Sequence, residues 1–283
     1  MTRHTALRLN GDGSGVGANL ATGYLSLSHE AQAVLSNNAV IEATDQLRTA
    51  WDTAVIGNGR VYLPGDEGVV LANDGLIRVS PGGQYDSLSV IAPNGGSLDL
   101  DGSSEGGKVW AIEQNNPIGE WARLRFEGAG LTDKFDGDML ISEGNTIEMT
   151  LDEGWTLGAN GTIAFGQGNS TFGRLEGASL RLEGAVHVGT VSEDSTGAYI
   201  TAPIAMAPGA EVSVARNDYL RLGDNEPSVV DGGQLMLGQN ARVDFQGPTT
   251  FNGITINNPT GDALTVMRGH TTYAGTMQFA GVV

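Results

Sequence analysis

Asp133, Asp136 and Asp138 fall in one short stretch, and Glu143, Glu148, Asp152 and Glu153 follow closely. Two carboxylates on one groove face are what acid–base cleavage of a glycosidic bond requires. The run Asp133-Lys134-Phe135-Asp136-Gly137-Asp138 also offers oxygen ligands on a glycine-containing turn, which suits calcium. Its spacing matches neither an EF-hand loop nor a Gly-Gly-x-Gly-x-Asp repeat. With 33 acidic residues among 283, such clusters arise by chance. Solvated acidic corners are therefore the expectation. No catalytic, metal-binding or cofactor-binding residue is assigned, and calcium at this turn is the one ion considered.

The remaining chemistry-bearing residues are dispersed. His4, His29, His187 and His270 have no second His or Cys at ligand spacing, and His187 reads as a surface residue of a strand. Gly11-Asp12-Gly13-Ser14-Gly15-Val16-Gly17 lacks the Lys-Ser/Thr and the following helix of a phosphate loop, so it reads as a corner. Trp110, Trp121 and Trp155 fall in or beside the least regular part of the chain, residues 103–154, which is the first place to look for a binding surface.

The elements available to position these residues are short strands. Gly233-Gln234-Leu235-Met236-Leu237, Ala241-Arg242-Val243-Asp244-Phe245 and Gly275-Thr276-Met277-Gln278-Phe279 each place two apolar residues one apart after a small residue. The same period-two alternation recurs at Gly59–Leu63, Gly75–Val79, Gly96–Leu100, Lys108–Ile112, Ala122–Phe126, Ile147–Leu151, Gly161–Phe165, Ala210–Val214 and Tyr219–Leu222. Period two means a strand with one buried face, and the Gly and Asn between strands mark corners. Thr44–Ala54 fits a short helix and a strand rung equally well. Asn37-Asn38, Asn115-Asn116 and Asn257-Asn258 are placed at corners, where stacked side chains can form ladders.

Composition bounds the function. Glycine is 43 of 283 residues, and no three-residue period marks collagen. The charge of −18 argues against nucleic acid and against anionic lipid. Cysteine is absent, so disulfides and thiolate metal sites are excluded. No apolar run approaches the roughly 20 residues of a membrane span, so no membrane insertion by this chain is expected. The first residues lack the apolar core of a secretory signal; export by another device, a signal outside this chain, or a place in a virion would each account for that.

Leu35-Ser36-Asn37-Asn38-Ala39-Val40-Ile41-Glu42-Ala43 and Gly233-Gln234-Leu235-Met236-Leu237 resemble the degenerate repeats of bacterial surface proteins, namely autotransporter passengers and haemagglutinin-repeat adhesins. The resemblance implies a right-handed parallel β-helix exposed outside a cell or on a virion. The expected fold is all-β: a single parallel β-solenoid of roughly a dozen turns, at about 21 residues per turn. Residues 1–55 are expected to form N-terminal rungs or a cap, and residues 56–283 the solenoid body. The expected function is that of a non-enzymatic, rigid, acidic rod in a surface fibre or adhesin stalk, extracellular or at the cell surface. A virion fibre or tailspike binding a host surface is the first alternative, and a polysaccharide lyase or hydrolase the second. Expected partners are further copies or a continuation of the stack, and a surface glycan or other cell-surface partner.

Overall fold

The computed structural model describes residues 6–12, 19–28, 30–50, 53–64, 68–73, 76–79, 87–94, 96–100, 107–111, 123–142, 144–166, 172–189 and 197–281. No described residue is helical. The protein is all-β, a parallel β-solenoid of about nine turns with rungs about 23 residues apart. The sequence-based expectation of a dozen turns at 21 residues undercounts the corners. Turns such as Gly158–Gly161 and Ala207–Ala210, each closed by a backbone hydrogen bond, add residues that strand phrases do not reveal. The chain forms two compact units, Met1–Met139 with Asn145–Glu153, and Leu140–Gly144 with Gly154–Val283.

In the first unit the strand Gln32–Thr49 organises its neighbours. Its start pairs with Ala6–Asn10 and Ala54–Tyr62, its middle and end with Leu20–Leu27, and its last residues with Gly68–Asn73. Every one of these ladders is parallel. Leu47 and Thr49 face Leu71 and Asn73 across the ladder, so the ambiguous segment is strand from Thr44 to Thr49; Trp51, the other residue of its helical spacing, lies outside the described residues. Its helical spacing loses because Leu47 is buried against the next rung.

Asn37 and Asn38 both have positive φ and turn the corner inside this long strand. Asn37 donates to Asn10 Oδ1 at 2.6 Å, and the Asn38 amide donates to Asn58 Oδ1 at 2.9 Å. The corner ladder expected there is present. Gly57 in the next rung has φ of 137°, and a Cβ on it would lie 2.0 Å from the Leu35 carbonyl oxygen. Only glycine fits. Inside the unit, Thr49 Oγ1 donates to Asn73 Oδ1 at 2.7 Å, and Asn73 Nδ2 donates to the Leu100 carbonyl at 3.0 Å. Thr49 and Asn73 are fully buried, so this polar file is acceptable only because its members are bonded.

The second unit repeats three strands per rung. One column runs through Trp155–Leu157, Leu180–Leu182, Ile204–Met206, Ser228–Val230 and Thr249–Asn258. A second runs through Thr162–Phe165, Ala185–Val188, Glu211–Val214 and Gln234–Leu237. The third contains Phe172–Gly177, Gly197–Thr201, Tyr219–Leu222, Arg242–Phe245 and Leu264–Met267. Inward residues stack in register: Ile163, Val186, Val212 and Leu235 in the second column, Leu175, Ile200, Leu222 and Phe245 in the third. All eight are buried, at about 1.5–3 kcal/mol of apolar transfer each. The asparagines at one corner, Asn217 and Asn240, share positive φ, and Asn240 donates to Asn217 Oδ1 at 3.0 Å. Asn257-Asn258 behaves otherwise. Asn258 accepts from the Gly261 amide at 3.1 Å and so caps its own turn. Asn115-Asn116 lies outside the described residues.

Candidate functional site

The outward residues of the third column form the densest polar constellation among the described residues. Alternation turns Arg174, Tyr199, Arg221 and Asp244 away from the core in one file, each in register with the next. Beside it runs a second file, Tyr219 and Arg242. The guanidinium of Arg221 sits 4.8 Å from the Tyr199 ring centroid, that of Arg174 5.7 Å, and that of Arg242 5.4 Å from the Tyr219 ring. The two tyrosine rings meet edge to face at 6.0 Å. Cations over ring faces gain about 0.5–1 kcal/mol each at exposed sites.

Asp244 is the hub. Its carboxylate is fully buried although it points outward, because its neighbours cover it. It accepts from Arg242 Nε at 2.7 Å and Nη2 at 2.8 Å, from Tyr219 Oη at 3.0 Å and from Arg268 Nε at 3.0 Å. Tyr219 Oη in turn accepts from Arg221 Nε at 3.3 Å. Burial pushes the Asp244 carboxyl up, but the hydrogen bonds from Arg242, Tyr219 and Arg268 outweigh it and hold its pKa below the ordinary value. Burial pushes the Tyr219 phenol up, with Asp244 reinforcing and Arg221 opposing. The bond to Asp244 raises Arg242. A carboxylate whose lone pairs are filled by four donors is a poor proton acceptor, and a phenol held protonated is a poor base. The chemistry this cluster can do is electrostatic: it joins the rungs of Tyr219, Asp244 and Arg268.

The nominated acids are arranged differently. Asp133, Asp136, Asp138, Asp152 and Glu153 are exposed, while Phe135 between them is buried and pins the turn. Glu148 is bonded to Arg123 at 3.2 Å and lies 3.9 Å from Arg125. Glu143 lies outside the described residues. Among the described residues no three His, Cys, Asp or Glu side chains group as metal ligands do. A shallow trough of about 280 Å³ on the second unit has Thr156, Arg181, Ala205 and Val229 in its floor, between Pro203 and Pro227. None of the nominated carboxylates lines it.

His187 is half-buried on its strand, with Nδ1 2.6 Å from Ser213 Oγ of the next rung. A Ser–His contact is the first half of an activated nucleophile. Here the register neighbours on either side are Ala164 and Met236, so the pair is flanked by apolar residues and not by an orienting acid. His270 is exposed, and its carbonyl accepts from Thr249. His4, His29, Ser14 and Trp121 lie outside the described residues. Trp110 is a half-buried outward residue paired with Arg78 in the first unit, and Trp155 is a buried core residue of the second. The sequence cluster of tryptophans therefore divides between an outward position and a core.

Sequence reading missed the Tyr219–Asp244 network because it scored only the apolar member of each alternation. The available signal was that Arg, Tyr, Arg and Asp recur at the intervening position once per rung. Comparison with protein-family models, with curated proteins and with solved structures returns no match to this chain.

Proposed function

We propose that this chain is a non-enzymatic structural protein of an extracellular or cell-surface fibre or adhesive stalk. Its role is spacing and repeated weak contact with surface partners, glycans among them, rather than turnover. The observation that carries this reading is the bonding of Asp244. The side chains of catalytic type that the fold gathers most closely are spent on one another, tying successive rungs together. A site evolved for proton transfer keeps an acid or base poised near the working pH, whereas this one moves its carboxylate away from it. The acidic surface favours solubility and spacing between neighbours.

The discriminating experiment is incubation with capsular and algal acidic polysaccharides, followed by assay for new reducing or unsaturated ends. This reading predicts none above a heat-treated control. Cleavage that is abolished by Asp136→Asn or Asp138→Asn would overturn it in favour of a glycan-degrading enzyme.

A further inference from the structure

The third strand column of the second unit runs against the charge of the chain. Between Gly154 and Val283 there are eleven acidic residues, six arginines and no lysine. Arg174, Arg221 and Arg242 are outward residues of third-column strands, and Arg268 directly follows Leu264–Met267. Those strands hold only two acids, Glu176 and Asp244. The face thus carries +2, four arginines less two acids, while the rest of Gly154–Val283 carries −7, two arginines less nine acids. The second-column strands contain neither lysine nor arginine. The first-column strands contain only Arg181, whose Nε donates to Glu183 at 2.9 Å. Asp224 and Glu226 sit beyond the end of Tyr219–Leu222, where Asp224 accepts from the Glu226 amide at 2.8 Å.

Gathering like charges on neighbouring strands costs stability, and acids to offset them are plentiful in this chain. Yet Arg221 has only the Tyr199 ring and Tyr219 Oη as partners, with no carboxylate among the described residues. Its register neighbour Asp244 is taken by Arg242 and Arg268. Arg268 spends only Nε on Asp244, and Arg242 only Nε and Nη2, which leaves guanidinium donors to bind something else. Tyr199 lies between Arg174 and Arg221 in the file and holds both guanidiniums against its ring, so they are positioned before any ligand arrives. The spacing is regular as well. Arg221 stands two rungs from Arg174, and the rung of Arg268 two further on, each step about 10 Å along the stack. That interval is the length of an extended disaccharide. A duplex nucleic-acid strand presents a phosphate about every 3.4 Å, far more densely than these cations.

We infer that this face binds an extended acidic polysaccharide bearing one carboxylate per disaccharide. The polymer lies along the stack, and Arg174, Arg221 and Arg268 take successive carboxylates in charge-assisted hydrogen bonds. Asp244 positions Arg242 and Arg268 and does no chemistry on the polymer. At physiological salt the screening length of about 8 Å hides the distant acids and leaves the local positive charge to act. Each contact is weak, and affinity builds by repetition along one polymer. This names the surface partner of the structural role proposed above and rests on that reading.

The test is calorimetric titration of the 283-residue chain with sized hyaluronan, which carries one carboxylate per disaccharide, at about 0.15 M salt. Carboxyl-reduced hyaluronan, oligo-dT and polyglutamate are titrated beside it. Saturable binding of hyaluronan is expected, about tenfold or more tighter than of the other three polymers. Arg221→Gln is expected to weaken it about fivefold or more, and Arg221→Lys by less. Arg181→Gln removes the same charge from the first column and is expected to change it by less than about twofold. Retention of the thermal transition checks the folding of each variant. Absence of hyaluronan binding overturns the inference. So does equal weakening by Arg221→Gln and Arg181→Gln, which marks attraction to charge in general, or equal binding of the carboxyl-reduced polymer. Preference for oligo-dT or polyglutamate overturns it in favour of a nucleic-acid or protein partner. The two readings fail separately: no binding and no cleavage sinks this inference alone, whereas new unsaturated or reducing ends on bound hyaluronan sink the non-enzymatic role.

Discussion

Asp244 shows how one residue can be both the most polar and among the least accessible on a surface. Three side chains from its own and adjoining rungs reach it. Replacing it by Asn keeps the shape but removes the charge that Arg242 and Arg268 neutralise. The arginines stay partly solvated, at 38% and 51% side-chain exposure, so the cost is moderated to about 1–3 kcal/mol. Asp244→Asn should lower the unfolding free energy by that amount at neutral pH. The sign with pH follows from the depressed folded pKa: the stabilisation is present above the unfolded carboxylate pKa and is lost as pH falls through the lower, folded one. The gap between unmodified protein and Asp244→Asn in urea titrations should therefore close below about pH 4. A gap that stays constant down to pH 2 would mean that the carboxylate charge is not what matters. None of this was legible in Ala241-Arg242-Val243-Asp244-Phe245 alone. The phrase announces a strand, and only the register against Tyr219–Leu222 makes Asp244 a hub.

The strands themselves were plain from the sequence, because period-two alternation is a local property. What the corners consume is not local, which is why the number and length of turns came out differently. Asn37-Asn38 and Asn257-Asn258 illustrate this: the same dipeptide forms a ladder to the neighbouring rungs in one place and caps its own turn in the other. Two substitutions test the elements. Gly57→Ala meets both a positive φ and a carbonyl 2.0 Å from the new Cβ, so the first unit should lose more than about 3 kcal/mol or fail to fold. Asn73→Leu removes the middle of the buried file, and with it the bonds that Asn73 makes to Thr49 Oγ1 and to the Leu100 carbonyl. About 2–4 kcal/mol should be lost in chemical denaturation. A loss under about 0.5 kcal/mol would mean that the file is not satisfied as drawn.

At the level of the whole molecule, a net charge of −18 opposes compaction. Salt shortens the screening length from about 30 Å at 0.01 M to about 8 Å at 0.15 M. The midpoint of thermal unfolding should rise over that range, since dispersed repulsion outweighs the exposed ion pairs such as Arg174–Glu176 and Arg181–Glu183. A midpoint that falls with salt would instead assign net stability to those pairs. From the sequence alone, the acidic composition argues against nucleic acid as a partner.

The chain has no cysteine, so paired thiols can be introduced without interference. Ser213 and Met236 are outward register mates on successive rungs, while Ser213 and Thr250 lie in different strand columns. In the double variant Ser213→Cys,Met236→Cys, a short bifunctional thiol reagent should link the two positions within a monomer quickly and nearly completely. In Ser213→Cys,Thr250→Cys it should not. Equal linking of both pairs, or none of the first, would contradict the stacking of rungs on which this account rests.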